Sequence, residues 1–230
     1  MAAKRARKRP MILVLAGVNG AGKSSVGGAM LHEHGLTWFN PDAFSRKLMA
    51  RGGFDKDAAD AAAWTYGKAR LEAAIADRTD FAFETTLGGS TMARLIDAAA
   101  ATHDVVMIFC GLDSVEHHIA RVRLRVRHGG HGIPEGRIRS RWSSARRNLI
   151  ALLPRLAQLQ LFDNSQEAPA GADIPEPVLL LEMKDGRVLH PARDDVAALE
   201  ATPDWAKPIV EAAFRCDAAI SGPRNRDHPA

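Results

Sequence analysis

Gly17-Val18-Asn19-Gly20-Ala21-Gly22-Lys23-Ser24 satisfies every specified position of the pattern G-x-x-x-x-G-K-[ST]. The apolar run Met11–Ala16 before it predicts a strand, and the residues after it open a helix to about His34. Strand, loop and helix in that order are the context in which the pattern binds phosphate. Glycines at 17, 20 and 22 let consecutive backbone N–H groups approach phosphate oxygens, and the helix turns its positive end on the same anion. Lys23 is expected to reach the β- and γ-phosphates and the Ser24 hydroxyl to coordinate Mg²⁺. The expected nucleotide contacts are Gly17, Asn19, Gly20, Ala21, Gly22, Lys23, Ser24 and Ser25.

With 46% hydrophobic residues in 230, the chain can bury a substantial core. No apolar run nears the roughly 20 residues of a membrane span. The basic first ten residues lead straight into a strand and phosphate loop, unlike a secretory signal. Cys110 and Cys216 have neither metal spacing nor the number for a disulfide framework, which fits a reducing cytoplasm. The net charge of +4 is unevenly spread. Residues 1–10 carry +5 and residues 121–147, with nine arginines against Glu135, carry +8, so the rest of the chain carries −9. The basicity is therefore local, and not a whole-surface signal for nucleic acid.

Residues 1–10 are expected to be a disordered basic tail. Leu36-Thr37-Trp38-Phe39-Asn40-Pro41-Asp42 reads as a short strand running into a polar turn. In a parallel α/β sheet ligands lie beyond the carboxyl ends of the strands, which puts Asp42 beside the triphosphate as a base for an attacking hydroxyl. Asn40-Pro41-Asp42 equally suits a helix N-cap. Residues 55–77 predict one long helix with Trp64, Leu71 and Ile75 on its buried face. Phe81-Ala82-Phe83 predicts a strand ending at Glu84, with Ser90 or Thr91 as the next cap. A carboxylate at such a strand end is costly unless satisfied, by substrate, by a Mg²⁺-bound water or by an arginine.

Residues 104–113 read as a central parallel strand, with Asp113 or Ser114 capping the helix that follows. On that helix Ile119, Val122 and Val126 form an apolar stripe, and the helix is expected to stop at Gly129-Gly130. Pro134 opens another helix, with Ile138, Trp142, Ala145 and Leu149 buried. Helix, glycine-rich loop and helix, with arginines on both sides, describe a mobile lid over about residues 114–150 whose cations stabilise a transferred phosphoryl group. His128 and His131 read as loop or capping residues. Leu159–Ser165 predicts a further strand ending in a polar turn beside the adenine. Residues 178–190 predict a terminal hairpin, Trp205–Phe214 a last helix, and residues 216–230 a loose tail.

The phosphate loop, Asn40-Pro41-Asp42, Phe83-Glu84-Thr85-Thr86-Leu87, Arg125-Val126-x-x-Gly129-Gly130-His131, Pro134 and Arg141, in this order, resemble the zeta toxin family of P-loop kinases, particularly its short chromosomal members. The likeness runs from about Met11 to Leu153. It implies an α/β P-loop NTPase/kinase fold over residues 11–215, with a parallel core sheet, flanking helices, an arginine-rich helical lid and a small C-terminal hairpin. It also implies transfer of the γ-phosphoryl group of ATP, with Mg²⁺, to a hydroxyl of a UDP-activated amino sugar such as UDP-N-acetylglucosamine.

By position Asp42 matches the base, Glu84 and Thr86 match substrate contacts, Lys23 and Ser24 match the phosphate and metal positions, and Arg125 and Arg141 match the lid cations. An antitoxin protein becomes a candidate partner. The chain departs from the family pattern at Gly88, where better-known members place a basic substrate contact, and in its more arginine-rich lid. Two other readings stay open: transfer to a different small hydroxylated metabolite, and an ATP-switched module that binds nucleic acid through lid and tail. The lid lacks the interleaved aromatics that single-strand binding uses.

Overall fold

Met11–Ala16 (β1) is buried from its second residue onward, as a strand covered on both faces must be. The computed structural model describes residues 9–24, 26–28, 37–167 and 175–221. In it β1 lies between Phe81–Thr85 (β2) and Asp104–Gly111 (β3), parallel to both. Gln158–Asp163 (β4) adds parallel to β3, and Val178–Lys184 (β5) and Arg187–His190 (β6) continue antiparallel, giving the order β2-β1-β3-β4-β5-β6. The chain leaves β1 toward one side of the sheet and returns on the other. The carboxyl end of β1 is therefore the switch point where such sheets hold ligands. The register sets Leu15 opposite Glu84 on one side and Ile108 on the other, so the phosphate loop leaves the sheet level with Glu84.

Alternate side chains of β1 point to opposite faces and build two cores. Ile12, Val14 and Ala16 belong to the larger, with Leu71, Ile96, Leu149 and Ile209 from the helices of that face. Leu13 and Leu15 join Ala21, Ile108 and Cys110 in the smaller, against which Val26 and Trp38 pack. Residues 23–24 and 26–28 after the phosphate loop are helical, and the helices with described bounds are α1 (Pro41–Ala50), α2 (Lys56–Asp77), α3 (Ser90–Ala99), α4 (Val115–Arg127), α5 (Glu135–Leu152), α6 (Val196–Ala201) and α7 (Lys207–Ser221). Among the described residues no helix is long and apolar enough to cross a membrane.

Several expectations are corrected. The strand expected up to Asp42 is reduced to one bridge, Phe39 to Phe83, because Asn40 already caps α1 and Pro41 opens it. Trp64 is 49% exposed: α2 buries the small residues Ala59, Ala63 and Gly67 in line with Leu71 and Ala74, and Trp64 falls one position off that stripe. Neither Ser90 nor Thr91 caps α3; Gly89 holds that position without a side-chain bond. Val126 is exposed on the last turn of α4, where burial ends at Val122.

The expected terminal hairpin forms as β5 and β6, and β5 also pairs with β4 along its length, which joins the hairpin to the main sheet. The tail expected from residue 216 is helical as far as Ser221. At the other end Arg9 is anchored, pairing with Asp104 at 3.2 Å and donating to the carbonyls of Ala100 and His103. The tail expectation for residues 1–8 and 222–230 falls outside the described residues.

Candidate active site

The phosphate loop is gripped from three directions. His118 Nδ1 of α4 donates to the Asn19 carbonyl at 2.9 Å, Arg141 Nη1 of α5 to Asn19 Oδ1 at 2.8 Å, and Asn164 Nδ2 beyond β4 to the Ala21 carbonyl at 3.0 Å. The loop also lies hard on the sheet. At Gly17, with φ of 143°, a Cβ would stand 2.3 Å from the Cys110 carbonyl oxygen, so only glycine fits. Lys23 Nζ rests 3.5 Å from the Val18 carbonyl. Burial pushes its pKa down, against the pull of Glu84 and Asp42. Ser25 lies outside the described residues.

Glu84, 7% exposed, is satisfied at the loop, and among the described residues no arginine pairs with it. Its Oε1 accepts from Ser24 Oγ at 2.8 Å and from Trp38 Nε1 at 3.0 Å, while Asn40 Nδ2 donates to Ser24 Oγ at 3.3 Å. A hydroxyl and a carboxylate in contact are the hard oxygen donors that Mg²⁺ prefers. Among the described residues no three His, Cys, Asp or Glu side chains cluster as a metal cage. A magnesium ion held here would complete its shell from phosphate and water, its usual habit.

Beside the loop is a cleft of about 70 Å³ lined by Asp42, Arg46, Lys56, Asp60, Arg125 and His131, among others. Its two carboxylates differ. Burial alone would raise the pKa of Asp60, but hydrogen bonds from Lys56 and Ser45, each 2.6 Å, hold it below the usual range and occupy both oxygens. Asp42 accepts no hydrogen bond from any described residue. The α1 cap is Asn40, which accepts from the Ala43 amide at 2.9 Å, so Asp42 is left on the first turn within electrostatic reach of Lys23 and Arg141.

The lid arginines divide by task. Arg123 pairs with Glu135, and Arg139 with Glu116 at 2.7 Å, so each tie joins α4 to α5. Arg121 donates to the Gln166 carbonyl and Arg146 stacks on Trp142 with 3.5 Å to the ring centre. Arg125 lines the cleft and donates to the His131 carbonyl at 2.9 Å, and Arg141 sits on Asn19. Thr86, half-buried, begins the loop after β2. That loop hangs from α5: Asn148 Nδ2 donates to the Leu87 carbonyl and Ser144 Oγ to the Gly88 carbonyl, both at 2.8 Å. A Cβ on Gly88 would lie 2.6 Å from Arg141 Cγ, so this helix leaves no room for a side chain there.

Lys23, Ser24, Asp42, Glu84, Arg125 and Arg141 thus gather at the carboxyl end of β1 and β2. The sequence reading missed His118, Ser144, Asn148 and Asn164. For His118 a signal existed, since it sits with Val115, Ile119 and Val122 at core-facing spacing and is 1% exposed. For the other three the partner is a backbone carbonyl far along the chain, which no local pattern announces.

No curated protein matches the chain significantly. Among solved structures, AvrRxo1-ORF1:AvrRxo1-ORF2 with sulphate ions aligns over 93% of this chain and 76% of its own, with TM-score 0.59 and 15% identity. The same complex with ATP gives TM-score 0.56 and 17% identity over the same shares, 93% and 76%. A structure of the PezAT chromosomal toxin-antitoxin system of Streptococcus pneumoniae covers 96% of this chain and 90% of its own, with TM-score 0.52 and 12% identity. At such identities these likenesses speak for the fold. The family model of Zeta toxin matches residues 1–165, a span that holds the phosphate loop, Asp42, Glu84 and the whole lid. The chain belongs to the Zeta toxin family and has its P-loop kinase fold.

Proposed function

We propose that the protein transfers the γ-phosphoryl group of ATP to a hydroxyl of a UDP-activated amino sugar such as UDP-N-acetylglucosamine. The observation that carries this reading is the contrast between the two cleft carboxylates: Asp60 has both oxygens occupied, while Asp42 is open and faces the cations of the phosphate loop and lid. An acceptor hydroxyl beside Asp42 attacks the γ-phosphorus in line. The new bond joins the acceptor oxygen to phosphorus, the bond to the β–γ bridging oxygen breaks, the proton passes to Asp42, and ADP leaves. Lys23, Arg125 and Arg141 offset the charge on the transferred group. Ser24 and Glu84 would hold Mg²⁺, which screens the phosphate charge when bound.

Membership of the Zeta toxin family and the fold shared with a complex described with ATP support ATP as the donor. The likeness to a toxin-antitoxin system supports an antitoxin as partner. The ion pairs of Arg123 and Arg139 withdraw cations from the surface that a nucleic-acid reading needs.

The test is mass spectrometry of the purified protein with Mg-ATP and a pool of nucleotide sugars and other hydroxylated metabolites, with Lys23→Ala as the blank. A UDP-sugar gaining one phosphoryl group is the expected result; gain by a different metabolite would replace the acceptor. Asp42→Asn is expected to lose transfer by about 10²-fold or more while ATP affinity stays within about threefold. Retention of most activity would reduce Asp42 to a helix-end residue.

A further inference from the structure

We infer that His131 and Arg46 are the acceptor-recognition pair of this site, His131 Nε2 meeting a polar group of the acceptor and Arg46 an anionic group one helical turn from the reacting hydroxyl. The inference rests on the kinase reading above and adds residues that the sequence pattern left without a role.

His131 Nε2 is sealed from solvent, yet no hydrogen-bond partner meets it among the described residues. A buried polar nitrogen left unpaired costs about 1–3 kcal/mol, so it calls for a partner brought from outside. The residue is held, not trailing: Arg125 Nη2 donates to its carbonyl at 2.9 Å and the Gly130 amide returns to the Arg125 carbonyl at 2.9 Å. Gly129, with φ of 82°, lets the chain turn out of α4 so that His131 lines the same cleft as Asp42. The loop that carries it contains Gly129, Gly130 and Gly132, which suits a small retreat as a ligand enters.

Arg46 stands four residues after Asp42 on α1 and lines the same cleft. Residues at that spacing share a helix face with Cβ atoms about 5–6 Å apart. Such neighbours commonly pair, but these do not: Arg46 makes no ion pair with Asp42 or with any other described residue. Lys56, the other cation on this side, is bound to Asp60 at 2.6 Å. The open groups of the cleft are thus the Asp42 carboxylate, the Arg46 guanidinium, the His131 imidazole nitrogen and the remaining donors of Arg125, which the kinase reading assigns to the transferred phosphoryl group. That set suits an acceptor that carries a hydroxyl and an anionic group close together, as in a glycosyl phosphate.

The experiment measures steady-state phosphorylation of UDP-N-acetylglucosamine, N-acetylglucosamine 1-phosphate and neutral N-acetylglucosamine by wild type, Arg46→Ala, His131→Leu and His131→Gln. Arg46→Ala is expected to lower kcat/KM for the two phosphorylated acceptors by about 10- to 100-fold and leave the neutral sugar within about threefold. His131→Leu is expected to raise the acceptor KM about tenfold, with the ATP KM within about threefold; His131→Gln, which keeps a polar atom near the Nε2 position, restores most of it.

Wild-type acceptor KM values in His131→Leu, or equal losses on charged and neutral sugars in Arg46→Ala, would overturn the assignment. A wild type that phosphorylates another metabolite of the pool moves the comparison to that acceptor. Should that acceptor lack an anionic group, the Arg46 role is refuted while the kinase reading survives. A wild type that phosphorylates nothing refutes the kinase reading itself, and this assignment with it.

Discussion

His118 shows how a single buried group can tie stability to pH. Burial pushes its imidazole down to about 4, although the bond to the Asn19 carbonyl acts against the shift. The unfolded chain takes up that proton below its ordinary value of 6.5, and the native state does so only near 4. Stability from this group is therefore complete above about pH 6.5 and is lost as pH falls toward 4, by up to about 3 kcal/mol. Urea titrations at pH 7.5, 6 and 5 are expected to show this loss in wild type and a flatter profile in His118→Asn, whose amide can still donate to Asn19. Equal slopes in the two proteins would assign the titration elsewhere. Glu84 makes a second case at this scale, because its carboxylate balances Lys23 and bonds Ser24. Glu84→Gln keeps the shape and removes the charge; the expected result is a fall in kcat of about 10²-fold or more and a raised Mg²⁺ requirement, with little change in Tm. An unchanged Mg²⁺ requirement would make Glu84 a purely structural acceptor.

Helix α5 connects sites that lie far apart in sequence: Arg141 holds the phosphate loop, Ser144 and Asn148 hold the loop after β2, and Arg139 braces α4. Closure of one loop without the other would break these bonds, so the phosphate loop and the loop after β2 are set by one rigid element. Gly88→Ala tests that coupling. The new methyl collides with Arg141 Cγ, the helix must shift, and a loss of about 1–3 kcal/mol with reduced kcat is expected. Gly136→Ala on the same helix meets open space and is expected to stabilise by about 0.5 kcal/mol, which separates a steric effect from helix propensity. A Gly88→Ala protein as stable and active as wild type would mean that the loop yields and the coupling is loose. The sequence announced α5 as an element through Ile138, Ala145 and Leu149, all buried as expected. It announced the phosphate-loop side as well, because a phosphate loop is contiguous and an acid at a strand end, such as Glu84, stands out among apolar neighbours. What it could not announce was the division of labour among nine arginines, since ion pairs such as Arg123 with Glu135 depend on how two helices pack. Trp64 failed for a related reason: hydrophobicity favoured burying it, but the close approach of Phe39 to Gly67 selects the stripe of small residues instead.

Across the whole molecule the C-terminal third is joined to the phosphate-binding half through both sheet and core. β4 and β5 pair along their length, and Trp205 lies so close to Gly111, at the end of β3, that a Cβ there would stand 2.2 Å from its ring. Trp205 Nε1 also donates to Asp163 Oδ1 at 3.2 Å, and Ile209, Val210 and Ala213 of α7 belong to the same core as β1. A chain whose larger core and single sheet both draw on its two halves has no seam at which half of it could melt first. We therefore expect residues 11–215 to unfold as a single unit, with tryptophan fluorescence and far-ultraviolet circular dichroism giving coincident transitions. Trp205→Ala, which empties a nearly fully buried ring site, is expected to lower stability by about 3–5 kcal/mol and to weaken ATP binding, because the lost packing lies against the end of the strand that supports Gly17. Two separated transitions in the wild type, or a Trp205→Ala protein that loses only the signal of β5, β6 and α7 while still binding ATP, would show the C-terminal third to be an independent layer on a self-sufficient kinase core.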